Sequence, residues 1–89
     1  MDTDVLEKEK VETTKEGLKS LILHNDDKND INYIEASLCK ICGHTPEQAI
    51  QCATIAHYKG KCEIKSGDES TLRKMKMSFD NRDIITSIE

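Results

Sequence analysis

Leu21-Ile22-Leu23 is an apolar run short enough to be a buried strand, and it stops abruptly at His24-Asn25-Asp26-Asp27. Those polar residue types favour turns and bond the backbone locally. After Asn29 and Asp30 a helical pattern begins. A strand that ends in an amide and two carboxylates puts hydrogen-bond acceptors at the rim of a core. Such a rim suits a cation, be it a metal, an ammonium group or the N–H groups of a helix start. Which of these it serves is the question the rest of the chain has to answer.

The chain has 89 residues, enough for one domain. Met1–Glu16 holds six acids and three lysines, with only Val5, Leu6 and Val11 as branched apolar residues. It buries too little surface to offset the entropy of ordering, so residues 1–16 are expected to be a mobile extension and 17–89 the folded domain. A core of that size is workable without staples. The net charge of −4 and only three aromatics, Tyr33, Tyr58 and Phe79, argue against a nucleic-acid partner. No run reads as a signal peptide or a membrane helix, so a cytoplasmic location is expected, with Cys39, Cys42, Cys52 and Cys62 reduced.

From Gly17 onward six elements are legible. Leu18–Leu23 is the first strand, with Leu21 and Leu23 on one face and Ile22 on the other. Ile31, Ile34, Leu38 and Ile41/Cys42 form one helical stripe, which Gly43 ends, with Asn29 or Asp30 as its expected N-cap. Thr45-Pro46-Glu47-Gln48 is the clearest start signal: a capping threonine, proline at the first helical position and Gln48 completing a capping box. The second helix runs to about His57 or Tyr58 and shows Ala49, Cys52/Ala53 and Ala56, small residues that let something approach closely. Lys61–Lys65 alternates as a strand, Ser66 and Glu69 read as a capping box, and Leu72, Met75 and Phe79 mark a third helix. Ile84–Ile88 closes the chain as a last strand. The order β-α-α-β-α-β gives an α+β domain, a three-stranded antiparallel sheet packed against three helices.

Several constellations compete for a function. Cys39-Lys40-Ile41-Cys42 has the spacing of half a zinc site or a redox pair, but no second short-spaced pair exists and the motif sits at the wrong end of a helix for a low thiol pKa. A calcium loop starting at Asp26 would need glycine where Ile31 stands and glutamate where Ser37 stands. Neither metal nor cofactor is therefore expected. Asp27, Asn29 and Asp30 read as helix-capping residues; Asn25 and Asp26 could cap the same helix, but they sit earlier, at the strand end, where capping reach is poorer. If the first strand and the second helix are neighbours, Asn25, Asp26 and His57 converge as three acceptors suited to an ammonium group. Beside them lie Ile31, Ile34, Ala53 and Ala56. An apolar hollow next to ammonium acceptors describes a receptor for the first residue of a peptide.

At this point the chain resembles a known family. L-I-L-H-N-D-D, two helices and then A-H-Y-K-G-K, with Glu47-x-Ala49 early in the second helix, is similar to ClpS, the adaptor of the Clp protease, from about Leu21 to Glu89. The resemblance implies a non-enzymatic, monomeric adaptor that binds proteins beginning with Leu, Phe, Tyr or Trp. It hands them to a Clp AAA+ unfoldase, of the ClpA or ClpC type, for degradation by ClpP. It implies that Asn25, Asp26 and His57 hold the free α-amino group and that Ile31, Ile34, Ala53, Ala56 and Ile84 form the side-chain pocket. It implies too that residues 1–16 engage the unfoldase. The family often has Thr-Pro-Met where this chain has Asn29-Asp30-Ile31, and a gating methionine where it has Ala53, so a roomier pocket is expected. The family's fold is shared by the C-terminal domain of the ribosomal stalk protein, and a stalk-like interaction module without degron binding is the alternative reading.

Overall fold

The computed structural model describes residues 17–89, so the expected mobile extension over 1–16 lies outside the described residues. The elements are β1 (Lys19–His24), α1 (Ile31–Cys42), α2 (Pro46–Lys59), β2 (Lys61–Gly67), α3 (Glu69–Asn81) and β3 (Thr86–Ile88). They follow the expected β-α-α-β-α-β order. The strands form one antiparallel sheet in the order β2-β1-β3, so the apolar run that opens the domain is its central strand.

Leu21 and Leu23 point from β1 into a single core. All three helices pack there, α1 through Ile34, Leu38 and Cys42, α2 through Ala49, Ala53 and Ala56, and α3 through Leu72 and Phe79. Ile22 faces the other way and is still buried, flanked in register by Glu63 of β2 and Ser87 of β3. Between Leu21 and Ile22 the β1–β2 register shifts, Leu21 pairing Lys65 and Ile22 pairing Glu63. The unpaired residue is Ile64, a bulge that sets its side chain in the core.

The caps show how the chain times its turns. Thr45 accepts from the Gln48 N–H while the Gln48 side chain accepts from the Thr45 N–H, the capping box the sequence predicts. Asp30 is the α1 N-cap by backbone position, with no side-chain cap bond. The α3 cap differs from expectation. Asp68, not Ser66, accepts from the Thr71 N–H, because β2 continues through Ser66, which pairs with Ser20, and reaches Gly67. Glu69 pairs instead with Arg73 one turn on.

The last strand is shorter than expected. The Ile84 N–H donates to the Phe79 carbonyl at 3.0 Å, so Ile84 belongs to the end of α3 rather than to the sheet. Its side chain is buried in the core.

Candidate functional site

The site begins where β1 ends, and a hydrogen bond outside the sheet ladder fixes it. The Asn25 N–H donates to the Gly60 carbonyl at 2.9 Å, joining the chain just after β1 to the cap of α2. Gly60 takes the left-handed conformation (φ 97°) that turns the chain from α2 into β2. His57, in the last turn of α2, is thereby brought beside Asn25 and Asp26.

Between them opens a cavity of about 380 Å³, lined by Leu23 and His24 of β1, Asn25, Asp26, Asp27, Asn29 and Asp30 of the loop, Ile31 and Ile34 of α1, and Ala53, Ala56 and His57 of α2. That volume is in the range of small-ligand sites. One side is apolar. Ile34, Ala53 and Ala56 are buried, and Ile31 is 41% exposed at the edge. Where helices usually place leucine or isoleucine against a sheet, α2 places alanines, and the missing volume is the hollow. The other side is the Asn25–Asp30 loop with its carboxylates and amides. No lysine or arginine lines the cavity.

Of the residues expected to act, Asn25, Asp26 and His57 therefore share the cavity with Ile31, Ile34, Ala53 and Ala56. Ile84 does not. Its backbone is committed to the end of α3 and its side chain to the core, which removes it from the lining.

The loop is built on Asp26. Its Oδ1 accepts from the N–H groups of Lys28 at 2.9 Å and Asn29 at 3.0 Å, and its Oδ2 accepts from the Asn29 side-chain amide at 2.7 Å. Burial pushes the Asp26 carboxyl up, but the Asn29 side chain, the two N–H donors and the Lys28 charge outweigh it and hold the group below its ordinary 3.8. Asp26 is thus a fixed, ionised acceptor at neutral pH. His24 also reaches the cavity, but its Nε2 lies 2.7 Å from the Ser87 Oγ, which occupies that nitrogen. The capping roles expected of Asp27, Asn29 and Asp30 are not what these side chains do: Asn29 bonds Asp26 and the Asp83 carbonyl, and Asp27 and Asp30 line the cavity. An Asx residue followed three positions later by asparagine within a turn is the signal that would have shown the Asp26–Asn29 pair.

The thiols stand apart from this site. Cys42 is buried in the core and its thiol is pushed up to about 11 by that burial. Cys62 is likewise raised to about 11, by burial and by neighbouring Cys52. Protonated thiols are poor nucleophiles and poor ligands. Among the described residues no group of three or more His, Cys, Asp or Glu side chains could hold a metal ion, and no helix is long and apolar enough to cross a membrane.

Comparison with known proteins meets this geometry. The solved structure of Agrobacterium tumefaciens ClpS2 bound to L-phenylalaninamide matches with a TM-score of 0.78, covering 82% of this chain and 95% of that one. Sequence identity is 14%, so this likeness speaks for the fold. The family described as ATP-dependent Clp protease adaptor protein ClpS matches residues 14–83. That match spans most of the sequence, from the end of the acidic N-terminal stretch to the turn after α3, and the chain belongs to the ClpS family.

Proposed function

We propose that the chain is an adaptor that binds the first residue of N-degron proteins, holding the α-ammonium group at Asn25, Asp26 and His57 and the side chain against Ile31, Ile34, Ala53 and Ala56. The observation that carries this reading is the division of one cavity into an apolar half and an acceptor-rich half with no lysine or arginine among the lining residues. An N-terminal residue is the common ligand with a charged amine one bond from an apolar side chain. The ligand of the Agrobacterium ClpS2 structure, L-phenylalaninamide, has this chemistry.

Magnitudes agree with a modest affinity. Full burial of one Leu or Phe side chain contributes about 1.5–3 kcal/mol. Each charge-assisted hydrogen bond adds about 1.5–3 kcal/mol before ordering costs. Roughly micromolar dissociation constants follow. First residues Leu, Phe, Tyr and Trp fit the hollow; a charged or very small one forfeits its contribution.

The adaptor itself performs no covalent step. It passes its cargo to a Clp AAA+ unfoldase of the ClpA or ClpC type, with residues 1–16 engaging the unfoldase while residues 17–89 hold the degron. A degradation assay tests this. A folded fluorescent protein beginning with Leu, incubated with the unfoldase and ClpP, should lose fluorescence faster when the adaptor is added. A chain lacking residues 1–16 should bind the substrate and fail to accelerate its loss. Equal rates with and without the intact adaptor would refute delivery.

A further inference from the structure

Asn29 touches two parts of the molecule at once. Its side-chain Nδ2 donates to Asp26 Oδ2 at 2.7 Å and to the Asp83 carbonyl at 2.9 Å, and its backbone N–H donates to Asp26 Oδ1 at 3.0 Å. The Asp83 end of this chain is itself held. Asp83 has the left-handed φ of 67°, its N–H donates to the Asp80 carbonyl, and its carboxylate lies 3.7 Å from Lys28 Nζ. One residue earlier the Arg82 carbonyl accepts from the Tyr33 hydroxyl at 3.0 Å, and its guanidinium bonds the buried Ser37 Oγ at 3.1 Å and lies over the Tyr33 ring. The turn that ends α3 is therefore fastened to α1 on one side and to the cavity loop on the other.

We propose that Asn29 is a positioning residue for ammonium recognition: it holds the Asp26 carboxylate in its binding orientation and is itself pinned by the Asp83 carbonyl, so that the turn after α3 braces the amine site. This deepens the proposed function and rests on its assignment of Asp26 to the α-amino group. The amide suits the task. A single NH₂ group has two donors, and both are used, one on a carboxylate and one on a carbonyl of a different element. The donor that meets the carboxylate makes a charge-assisted bond, which orients the acceptor more strongly than a neutral one. With Oδ1 held by two backbone donors and Oδ2 by Asn29, the carboxylate plane is fixed, and Oδ2 keeps its second lone pair for an incoming N⁺–H. Without the amide, Asp26 keeps only its Oδ1 anchors and rotates about them.

Direct titration separates this role from simple loop stability. The charged and titratable groups around Asp26 are Lys28, Asp27, Asp30 and His24 on the chain leading through the loop, His57 on α2 and Asp83 on the turn after α3. None of these changes in Asn29→Ala or Asn29→Asp. Carbon-detected NMR of the Asp26 carboxyl should give a midpoint below 3.8 in the native chain. It should move upward in Asn29→Ala, and further in Asn29→Asp, which keeps the shape but sets a second carboxylate against the first. Binding of a C-terminally labelled Leu-initiated peptide, measured near neutral pH alongside its N-acetylated twin, should weaken about tenfold in Asn29→Ala while the already weak acetylated peptide is unaffected. Thermal melts of each variant verify that the fold persists.

Asp26→Asn in the same assay keeps the two claims apart. If the native chain prefers the free amine and Asp26→Asn loses that preference, the functional reading stands. An unmoved Asp26 midpoint or an unchanged affinity ratio on replacing Asn29 then overturns the positioning role alone. If the native chain binds both peptides equally, the reading falls and this inference falls with it.

Discussion

Asn25 and Gly60, thirty-five positions apart in sequence, are joined by a 2.9 Å hydrogen bond from the Asn25 N–H to the Gly60 carbonyl. This bond sets how far the Asn25–Asp26 loop lies from His57, and the glycine makes it possible. At φ 97° any side chain at position 60 is strained, although no atom stands within 4 Å of a Cβ placed there. Gly60→Ala should therefore destabilise the domain by about 1–2 kcal/mol through the backbone alone. It should also weaken the peptide as the carbonyl shifts. Urea denaturation and peptide titration of the same variant measure the two effects.

His57 is exposed and carries no core packing. His57→Ala should change unfolding stability by no more than about 0.5 kcal/mol. The same change should cost most of the preference for a free α-amino group, because an imidazole acceptor is lost. A large drop in stability would mean instead that the residue is structural.

Ala53 and Ile31 decide how wide the hollow is. With alanine on the α2 wall, dissociation constants for Leu- and Ile-initiated peptides should differ by less than about fivefold, since the branch at Cβ has room. Ala53→Met fills the hollow from the helix side and should open a gap in favour of Leu. Paired titrations of the two peptides against both chains decide it, and a large preference for Leu in the native chain counts against the roomy pocket.

Acid should destabilise the domain through its depressed carboxyls. Asp26 is lowered despite its burial, Asp68 by its bonds to Thr71, and Glu69 by Arg73. Each binds a proton less readily when folded. Its stabilising contribution is therefore complete above the ordinary values of 3.8 and 4.5, and it is lost as pH falls through the lowered ones. Urea midpoints should be flat with respect to these groups above about pH 5 and fall below about pH 4. Asp68→Asn should flatten that fall.

Phe79 is fully buried where α3 meets the core formed by Leu21, Leu23 and Ile84. Phe79→Ala should cost about 3–5 kcal/mol, enough to unfold much of a domain this small. Circular dichroism in rising urea measures it.

The sequence carried the fold well because its signals were local and redundant. Thr45, Pro46, Gln48, Gly43 and Gly60 mark helix ends by caps that depend on their own backbone. The small α2 face points to a close approach; Ala49 meets the core, while Ala53 and Ala56 leave a hollow beside the loop. Ser66 has the chemistry of a cap, but its long-range pairing with Ser20 extends β2 instead. Ile84 has the chemistry of a strand, but the local turn that ends α3 takes its N–H to the Phe79 carbonyl. The Asn29–Asp83 contact spans fifty-four positions, and no local pattern encodes it.

The central claim is tested most directly by fluorescence anisotropy of a Leu-initiated peptide, labelled at its far end, beside its N-acetylated twin and a Gly-initiated control. The account predicts roughly micromolar binding of the free Leu peptide only, lost in His57→Ala. Equal binding of all three, or of none, would contradict it and leave a chain with the ClpS fold that does not recognise N-terminal residues.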